Sequence, residues 1–263
     1  VDAILDRLDL RSGSRLLEIG CGWGALAERA VDRHDVLYTG ITLSPAQAEI
    51  ADARLNAVDL SGRSRIELCD YRDVQGPYDA IASVEMVEAV GQAYWPAYLD
   101  AVARLLRPGG KAAIQYILIN DALFERYAAS SDFIQAYVFP GGCLISESRF
   151  RALAEDRGLA WRDVRRFGRD YAETLRIWRE RFDAAVAEQK LPAGFDDRFV
   201  RLWRYYLQYC EGGFRGGGID VVTGVAIGRH LHCAMLQPGQ RGGHGGAVIA
   251  FGKALAHRKA CGF

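Results

Sequence analysis

Ten residues from Arg15 to Gly24 constrain the fold of this chain more than any other stretch. Their sequence is Arg-Leu-Leu-Glu-Ile-Gly-Cys-Gly-Trp-Gly, and a helix-forming segment follows from Ala25 to His34. An apolar run that ends in alternating glycines is typical of a strand, a tight turn and a helix. Glycine tolerates positive φ and lets a ligand approach the backbone. The stretch therefore predicts the first crossover of a doubly wound sheet, with a nucleotide-type pocket at its turn.

The glycine spacing alone leaves the ligand open, because Gly20, Gly22 and Ala25 also satisfy the loose dinucleotide fingerprint. Glu18 favours a cationic ligand, since a carboxylate at the strand end attracts a sulfonium or ammonium group and repels a pyrophosphate. S-adenosylmethionine carries such groups. We therefore expect it to bind here; the alternative is a glycine-rich turn without a ligand. The predicted contacts in this stretch are Glu18, Gly20, Cys21, Gly22, Trp23 and Gly24.

A second strand is predicted from Val36 to Ile41, and no acidic residue stands at its end to hold ribose hydroxyls. Gln47, in the first turn of the next helix, is the candidate for that role. The alternative is that Gln47 serves only as the reciprocal partner of Ser44 in a capping box, and both roles can coexist. The predicted cofactor contacts of this segment are Thr42, Leu43, Ser44 and Gln47.

The third predicted strand, Arg65 to Cys69, leads into Asp70, Tyr71 and Arg72. Residues at the carboxyl end of a parallel strand lie on the ligand side of the sheet. We expect Asp70 to accept a hydrogen bond from the adenine amino group and Tyr71 to offer a flat ring for stacking. The alternative is a polar surface loop.

Two carboxylates, Glu85 and Glu88, follow the fourth predicted strand, Tyr78 to Val84. At a strand's carboxyl end both are expected to project into the active cleft, and burial there shifts the pKa of at least one of them. An exposed acidic turn is the alternative, although the apolar neighbours favour partial burial.

The remaining elements complete the fold prediction. They are a helix over Tyr94–Leu106, a breaker turn over Arg107–Gly110, a strand over Lys111–Ile119 and a helix over Ser146–Arg157 whose first residue is the N-cap. The order predicts an α/β protein with a doubly wound, mostly parallel, seven-stranded sheet of Rossmann-like type. Residues from about 120 to 215 are expected to add an inserted helical cap over the cleft.

The predicted cap is rich in aromatic side chains. Aromatic residues at helical spacing usually belong to a core, but as a set above a cleft they can line an apolar channel and shield a cation. The set comprises Tyr116, Tyr127, Phe133, Tyr137, Phe139, Trp178, Phe182, Trp203, Tyr205, Tyr206, Tyr209 and Phe214.

Composition narrows the class of protein. The 263 residues carry no net charge, which argues against a nucleic-acid-binding protein. The six cysteines show no paired spacing, and we find no signal peptide or apolar run of membrane-spanning length, so a reducing, cytoplasmic setting is expected. Residues 1–228 form the predicted domain, and the glycine- and histidine-rich residues 229–263 a poorly ordered tail. His230, His232 and Cys233 do not match a known metal-ligand spacing, so no metal is expected.

With these motifs placed, the chain resembles the cyclopropane-fatty-acid (mycolic-acid cyclopropane) synthase family of class I S-adenosylmethionine-dependent methyltransferases. The resemblance covers roughly residues 1 to 228, with its blocks in the family's order. The blocks are Leu16–Gly24, Thr42–Gln47, Asp70–Asp73, Ser83–Gly91, Ser131–Ile134, Phe139–Cys143, Phe167–Tyr171, and Tyr205–Leu207 through Phe214-Arg215.

The resemblance implies methylene transfer to the cis double bond of a phospholipid acyl chain, through a carbocation that a bound bicarbonate deprotonates. In the family that anion is held by a glutamate, a tyrosine, a histidine, a cysteine and an isoleucine backbone. Glu88, Tyr171 and Ile117 match three of these positions, and Gln115 stands at the histidine position. Without a histidine in the predicted cleft, the base must be a bound anion or Glu88 with a raised pKa.

The family's cysteine, with a Tyr-Ser pair that clamps the cofactor, belongs to an N-terminal segment that we expect to be missing here. The implied location is peripheral to the inner face of the membrane, with phospholipid acyl chains as partners, and a homodimer is considered. Two alternatives stay open: a methyltransferase acting on an amine or other small molecule, which shares the motif Glu85–Glu88, and an inactive truncated domain.

Overall fold

The computed structural model describes residues 1–60 and 62–228. The strands are β1 (Arg15–Ile19), β2 (Leu37–Thr42), β3 (Ser64–Leu68), β4 (Tyr78–Val84), β5 (Leu106–Ile119), β6 (Ile145–Ser146), β7 (Leu159–Arg166) and β8 (Ile219–Gly228). The α-helices are α1 (Asp2–Leu5), α2 (Ala25–His34), α3 (Pro45–Ala57), α4 (Trp95–Leu105), α5 (Asp121–Ala128), α6 (Phe133–Tyr137), α7 (Glu147–Asp156), α8 (Gly168–Ala187) and α9 (Asp197–Arg215). Short 3-10 turns cover Val87–Ala89 and Gln92–Tyr94. The expected tail, 229–263, lies outside the described residues.

The strands form one sheet in the order β3-β2-β1-β4-β5-β8-β7, with the two-residue β6 beside β5. Neighbouring strands are parallel except that β8 runs antiparallel to β5 and β7. The predicted doubly wound, mostly parallel sheet is confirmed, and β6 adds an eighth strand. Since the chain leaves β1 toward β2 and β3 and returns on its other side as β4, the switch point lies between β1 and β4, where such sheets bind ligands.

Strand β1 is covered on both faces, as expected of a central parallel strand. Leu16 packs into a core cluster with α1 and α2, whereas Leu17 and Ile19 join the larger cluster on the other face. All three are essentially inaccessible to water. Because successive side chains of a strand point to opposite faces, this one apolar run packs into both layers and anchors the turn that follows it.

The breaker turn predicted at Arg107–Gly110 is wrong as a boundary, because pairing with β4 begins before it. Leu106 is already opposite Tyr78, and pairing resumes with Lys111 opposite Ala80. The intervening residues bulge out of the ladder, which the φ of +76° at Gly109 permits. The strand therefore starts five residues earlier than the apolar run Lys111–Ile119 indicates.

Ser146 stands at the N-cap of α7 as predicted, but its side chain does not cap the helix. Its hydroxyl donates instead to the Asp121 carboxylate at 2.7 Å, and its backbone pairs with β5 in β6. A neighbouring helix thus competes successfully for the hydroxyl that local sequence assigns to the cap.

Helices α8 and α9 pack against each other and form a third apolar cluster above the sheet. Its buried members include Phe182, Tyr206 and Phe214. Within the predicted cap range of about 120–215, α7 and β7 behave differently. Phe150 and Trp161 from these elements belong to the main core cluster. The part of the range that lines the cleft is built chiefly from α5, α6, α8 and α9.

Among the described residues, no helix combines the length and apolar character needed to cross a membrane. The same residues hold no group of three or more histidine, cysteine or carboxylate side chains arranged to bind a metal ion. The cluster considered at His230, His232 and Cys233 lies outside the described residues.

Candidate active site

A cavity of about 1370 Å³ opens at the carboxyl ends of β1, β2, β4 and β5. Every residue predicted as catalytic or cofactor-binding contributes to its wall except Gly24. It continues beneath the cap, where α8 and α9 contribute Tyr171, Leu175 and Tyr206. One continuous space therefore joins the glycine loop, the carboxylate pair and an apolar region.

The glycine loop adopts backbone angles that favour glycine. Gly20, Gly22 and Gly24 have φ of +84°, +52° and +79°, and Gly24 is the N-cap of α2. A Cβ on Gly20 would lie 2.6 Å from Cγ of Met86, and one on Gly24 would lie 3.1 Å from Cβ of Ala51. At Gly22 it would meet no protein atom within 4 Å, so this glycine leaves open space for a ligand beside the loop.

Glu18 is 3% exposed and accepts a hydrogen bond from the Tyr38 hydroxyl. Burial raises the pKa of Glu18 to about 7, against the opposing effect of that hydrogen bond. Burial and the nearby Glu18 also raise the pKa of the Cys21 thiol, so Cys21 stays protonated. The cleft thus holds a carboxyl that changes charge near neutral pH at the position predicted for the cofactor.

The segment after β2 is arranged around Thr42. Its hydroxyl donates to Oε1 of Gln47 at 2.7 Å and accepts from the Ser44 N–H at 3.1 Å. Ser44 caps α3 by accepting from the Gln47 N–H at 3.3 Å, but the Gln47 side chain does not return to the Ser44 N–H. The predicted capping box is therefore only half formed. The hydrogen bond from the Ser44 N–H to the Gln47 side chain is absent, because Thr42 bonds to both of these groups. Gln47 is 7% exposed and lines the cavity beside Leu43.

Asp70 and Arg72 form a local ion pair at the cavity wall. Asp70 accepts from the Arg72 backbone N–H at 2.9 Å and from its guanidinium at 2.9 and 2.7 Å. Burial raises the pKa of Asp70, but the Arg72 hydrogen bonds outweigh it and leave a net lowering. The Tyr71 ring packs edge-on against Tyr98, at 5.7 Å between centroids. Asp70 is thus ionised and engaged by Arg72, while its contact with an adenine stays a prediction.

Glu85 lies where β4 ends and holds two polar side chains at once. Its Oε1 accepts from Nε2 of Gln115 at 3.0 Å, and its Oε2 accepts from the Tyr171 hydroxyl at 3.0 Å. Its φ is +49°, in the left-handed region that favours glycine. The sequence predicts this carboxylate in the cleft but gives the catalytic role only to Glu88. The signal for Glu85 is its place as the first residue beyond the strand.

Glu88 sits in the 3-10 turn after β4 and is 7% exposed. Its Oε1 accepts from the Ile117 N–H, and its Oε2 is buried without a hydrogen-bond partner. Burial, with a smaller contribution from Glu85, raises the pKa of Glu88 to about 8. Glu88 is therefore mainly a neutral acid at pH 7, and the prediction that the pKa of at least one carboxylate is shifted is confirmed at Glu88.

The four predicted catalytic residues thus line one cavity, but they belong to two separate hydrogen-bonded groups, one around Glu88 and one around Glu85. Ile117 contacts Glu88 through its backbone, whereas Gln115 and Tyr171 contact Glu85. His34, the histidine within the described ranges, does not contribute to the cavity wall.

The predicted aromatic set divides between channel and core. Tyr116 and Phe182 are wholly buried, Tyr116 among Phe150 and Trp161, so the prediction that they line a channel is wrong. The members of the set that do line the cavity are Tyr127, Phe139, Tyr205, Tyr206, Tyr209 and Phe214. Tyr205 is also 50% exposed, which places it where the cavity meets solvent.

This combination of sheet order, glycine loop and capped cavity agrees with comparison to known proteins. The family model described as mycolic acid cyclopropane synthetase matches residues 1–223. The chain belongs to this family. The predicted resemblance is confirmed, and with it the class I methyltransferase fold.

Two relatives illustrate the range of activities in the family. The tuberculostearic acid methyltransferase UfaA1 of Mycobacterium tuberculosis is 43% identical over 86% of this chain and 53% of its own. The cyclopropane-fatty-acyl-phospholipid synthase of Escherichia coli K12 is 36% identical over 83% of this chain and 54% of its own. The chain therefore spans about half the length of these curated relatives.

A solved structure of the mycolic acid cyclopropane synthase CmaA1, complexed with SAH and CTAB, superposes with a TM-score of 0.79. It is 29% identical and covers 86% of this chain and 82% of that one. The cyclopropane synthase MmaA2 from Mycobacterium tuberculosis gives a TM-score of 0.78 at 26% identity, over 86% and 82% of the two chains.

Proposed function

We propose that this protein transfers a one-carbon unit from S-adenosylmethionine to the cis double bond of an unsaturated phospholipid acyl chain, giving a cyclopropane fatty acid. The observation that carries the proposal is the single cavity that connects the glycine loop to the Glu85–Glu88 pair and to the aromatic lining. Membership of a family of lipid-modifying methyltransferases supports it.

The cleft fits S-adenosylmethionine. Open space beside Gly22 leaves room for the ligand at the loop, and Glu18 offers a carboxyl to its polar groups. The residues proposed to hold it are Glu18, Gly20, Cys21, Gly22, Trp23, Gly24, Thr42, Leu43, Ser44, Gln47, Asp70, Tyr71 and Arg72. When bound, it supplies an electrophilic sulfonium methyl group.

The chemistry of the acyl side follows from the weakness of an alkene as a nucleophile. Such a reaction requires close positioning in a dry pocket and stabilisation of the cation that forms. Aromatic faces such as those of Tyr206 and Phe214 supply apolar walls and cation–π attraction. Glu85 adds a carboxylate to the same cavity.

Bicarbonate, the base that the resemblance implies, does not fit these residues. The Tyr171 hydroxyl proton and one N–H of Gln115 are already donated to Glu85. Glu88, the other candidate base, has its pKa raised to about 8 by burial and so is mostly protonated at neutral pH. We therefore assign no step to a bicarbonate ion.

We further propose that the cap faces a phospholipid surface, at the inner face of a membrane. Tyr137 and Tyr205 are 66% and 50% exposed, and Phe133 packs against both rings. Tyrosine rings favour the boundary between water and acyl chains. Because Tyr205 and Tyr209 also line the cavity, an acyl chain leaving the surface there enters the same cavity as the carboxylates. The homodimer remains a prediction, which a light-scattering measurement of the molar mass would test.

The test is incubation with methyl-labelled S-adenosylmethionine and vesicles of a cis-unsaturated phospholipid, followed by mass spectrometry and NMR of the released acyl chains. We expect a gain of one CH₂ with cyclopropane proton signals, and no product from saturated vesicles. Methyl-branched chains would contradict ring closure. Turnover of amines without lipid turnover would favour the small-molecule alternative, and failure to bind S-adenosylhomocysteine would favour an inactive domain.

A further inference from the structure

The two oxygens of Glu85 are held by the same side chains that the resemblance assigns to a separate anion. Gln115 donates to one oxygen and Tyr171 to the other, each at 3.0 Å. A tyrosine hydroxyl has a single proton to donate. While Tyr171 donates to Glu85, it cannot donate to a second anion, so the acceptor position between these groups is already filled by the chain itself.

Electrostatic repulsion also disfavours a separate anion at this position. An anion placed beside Glu85 would be repelled by its carboxylate in a partly desolvated cavity. Glu88 already shows the effect of such proximity, since Glu85 contributes to the rise of its pKa. No arginine or lysine is hydrogen-bonded to Glu85 within the described part of the chain to offset a further negative charge.

The backbone at Glu85 supports a role for its side chain. Its φ of +49° is unfavourable for a residue with a Cβ, and glycine would adopt it without strain. Of the six described non-glycine residues with positive φ, Glu85 is the one that lines the cavity. The carboxylate is thus held in place at a cost that a glycine would avoid.

We propose that Glu85 is the proton acceptor of the reaction and takes the place of the bicarbonate ion that the resemblance implies. This inference rests on the proposed function. The alkene π electrons form the new C–C bond to the sulfonium methyl as the C–S bond breaks, and the electron pair stays on sulfur. A C–H bond of the transferred methyl then supplies the electrons that close the ring, and its proton moves to a Glu85 oxygen. Glu85 returns that proton to water through the open cavity.

A carboxylate is a strong enough base for this step, because the methyl group lies one carbon away from the cationic centre, and loss of its proton neutralises the cation as the ring closes. Gln115 and Tyr171 keep the carboxylate facing the cavity. The neutral Glu88 acid avoids placing a second negative charge there. The site then carries one negative charge without an external ion.

The variants that test the inference are Glu85→Gly, which removes the carboxylate and relieves the backbone, and Glu85→Gln, which removes only the charge. Gln189→Gly is the matched control, since Gln189 also has positive φ (+55°) and is exposed away from the cavity. We expect all three to fold, as judged by circular dichroism melting and by binding of S-adenosylhomocysteine.

Two readouts are needed. The first is binding of ¹³C-labelled bicarbonate, followed by NMR line broadening: Glu85→Gly should bind it, and wild type and Gln189→Gly should not. The second is turnover of vesicles in buffer freed of carbon dioxide. Wild type should keep its rate, whereas both Glu85 variants should lose about 100-fold, the usual contribution of a general base. Millimolar bicarbonate should restore at least a tenth of the wild-type rate to Glu85→Gly alone.

Bicarbonate binding to wild type, or a wild-type rate that falls when bicarbonate is removed, would overturn the assignment. So would full activity of Glu85→Gly in bicarbonate-free buffer. If wild type modifies no lipid, the proposed function fails, and the binding experiment still decides whether Glu85 or a bicarbonate occupies the position between Gln115 and Tyr171.

Discussion

The Tyr38 hydroxyl donates a hydrogen bond to the buried carboxyl group of Glu18, from the adjacent strand β2 to β1. Gly40 makes this contact possible. A Cβ on Gly40 would lie 2.6 Å from the Tyr38 hydroxyl oxygen and 2.8 Å from Cβ of Cys21. The carboxyl proposed to face the cofactor is therefore oriented by a residue outside the glycine loop.

Tyr38→Phe should weaken cofactor binding at neutral pH. The Tyr38 hydrogen bond lowers the pKa of Glu18 against the larger effect of burial, so its loss moves that pKa further above 7. Hydrogen bonds to charged groups contribute about 1.5 to 3 kcal/mol, which corresponds to roughly a tenfold loss of affinity or more. Calorimetric titration with S-adenosylmethionine should show the deficit near pH 7 and recovery as the pH rises.

Tyr116→Phe is the matched control for that variant. The Tyr116 hydroxyl is buried without a hydrogen-bond partner, so its removal deletes the same atom without breaking a contact. An equal loss of affinity in both variants would exclude a specific role for the Tyr38 contact.

Gly20→Ala should destabilise the protein more than Gly13→Ala. Both glycines have positive φ, +84° and +78°, so each substitution costs about 1 kcal/mol of backbone strain. Only at Gly20 does the new Cβ collide with Met86, whose Cγ and Cβ would be 2.6 and 3.1 Å away. We expect about 2 kcal/mol more for Gly20→Ala. Urea denaturation measures the difference; equal losses would show that Met86 moves aside freely.

Stability should fall as the pH rises from about 5 to about 8, because buried carboxyls must ionise. The pKa values of Glu18 and Glu88 are raised to about 7 and about 8. The folded state therefore binds more protons than the unfolded chain in this range, so the free energy of unfolding decreases with rising pH. Glu88→Gln, which mimics the protonated acid, should gain roughly 3 kcal/mol relative to wild type between these limits.

The exposed Glu49 supplies the control, since Glu49→Gln changes the same chemical group at the surface. Its free energy of unfolding, measured by urea titration at each pH, should follow wild type throughout. If the free energy of unfolding of Glu88→Gln changed with pH in parallel with that of wild type, Glu88 would be ionised in the folded protein.

Tyr171→Phe should lower kcat and leave cofactor binding unchanged. The variant loses the donor to Oε2 of Glu85 while the Gln115 contact with Oε1 remains. A carboxylate held at one oxygen is less well oriented, and we expect kcat to fall about tenfold. Steady-state kinetics with vesicles and calorimetry with S-adenosylhomocysteine separate the two effects. Tyr116→Phe, at a buried hydroxyl without a hydrogen-bond partner and outside the cavity wall, should change neither.

The sheet and the glycine loop could be predicted because their signals are local. An apolar run, three glycines and a helix lie within twenty residues of one another, and their order along the chain implies parallel pairing. The positions of Glu18 and Asp70 at strand ends followed from the same logic.

The resemblance implies one site for Gln115, Ile117 and Tyr171 with Glu88, but local patterns could not predict which carboxylate each would contact, because they come from distant parts of the chain. Glu85 meets Gln115 and Tyr171 across sequence separations of 30 and 86 residues. Spacing placed both glutamates in the cleft, but only tertiary packing gives one of them two donors and leaves the other neutral. The same limit explains the errors at Ser146 and Gln47, where Asp121 and Thr42 take the hydrogen bonds that local motifs assign elsewhere.

The positive φ of Glu85 has a consequence for the evolution of this site. A glutamate codon becomes a glycine codon by a single nucleotide change, and glycine accepts the existing backbone angle without rearrangement. If Glu85 is the base, one mutation would exchange a carboxylate encoded by the gene for an ion drawn from the cell's dissolved carbon dioxide. Descendants of one ancestral enzyme could then differ in their dependence on that metabolite while keeping the same fold.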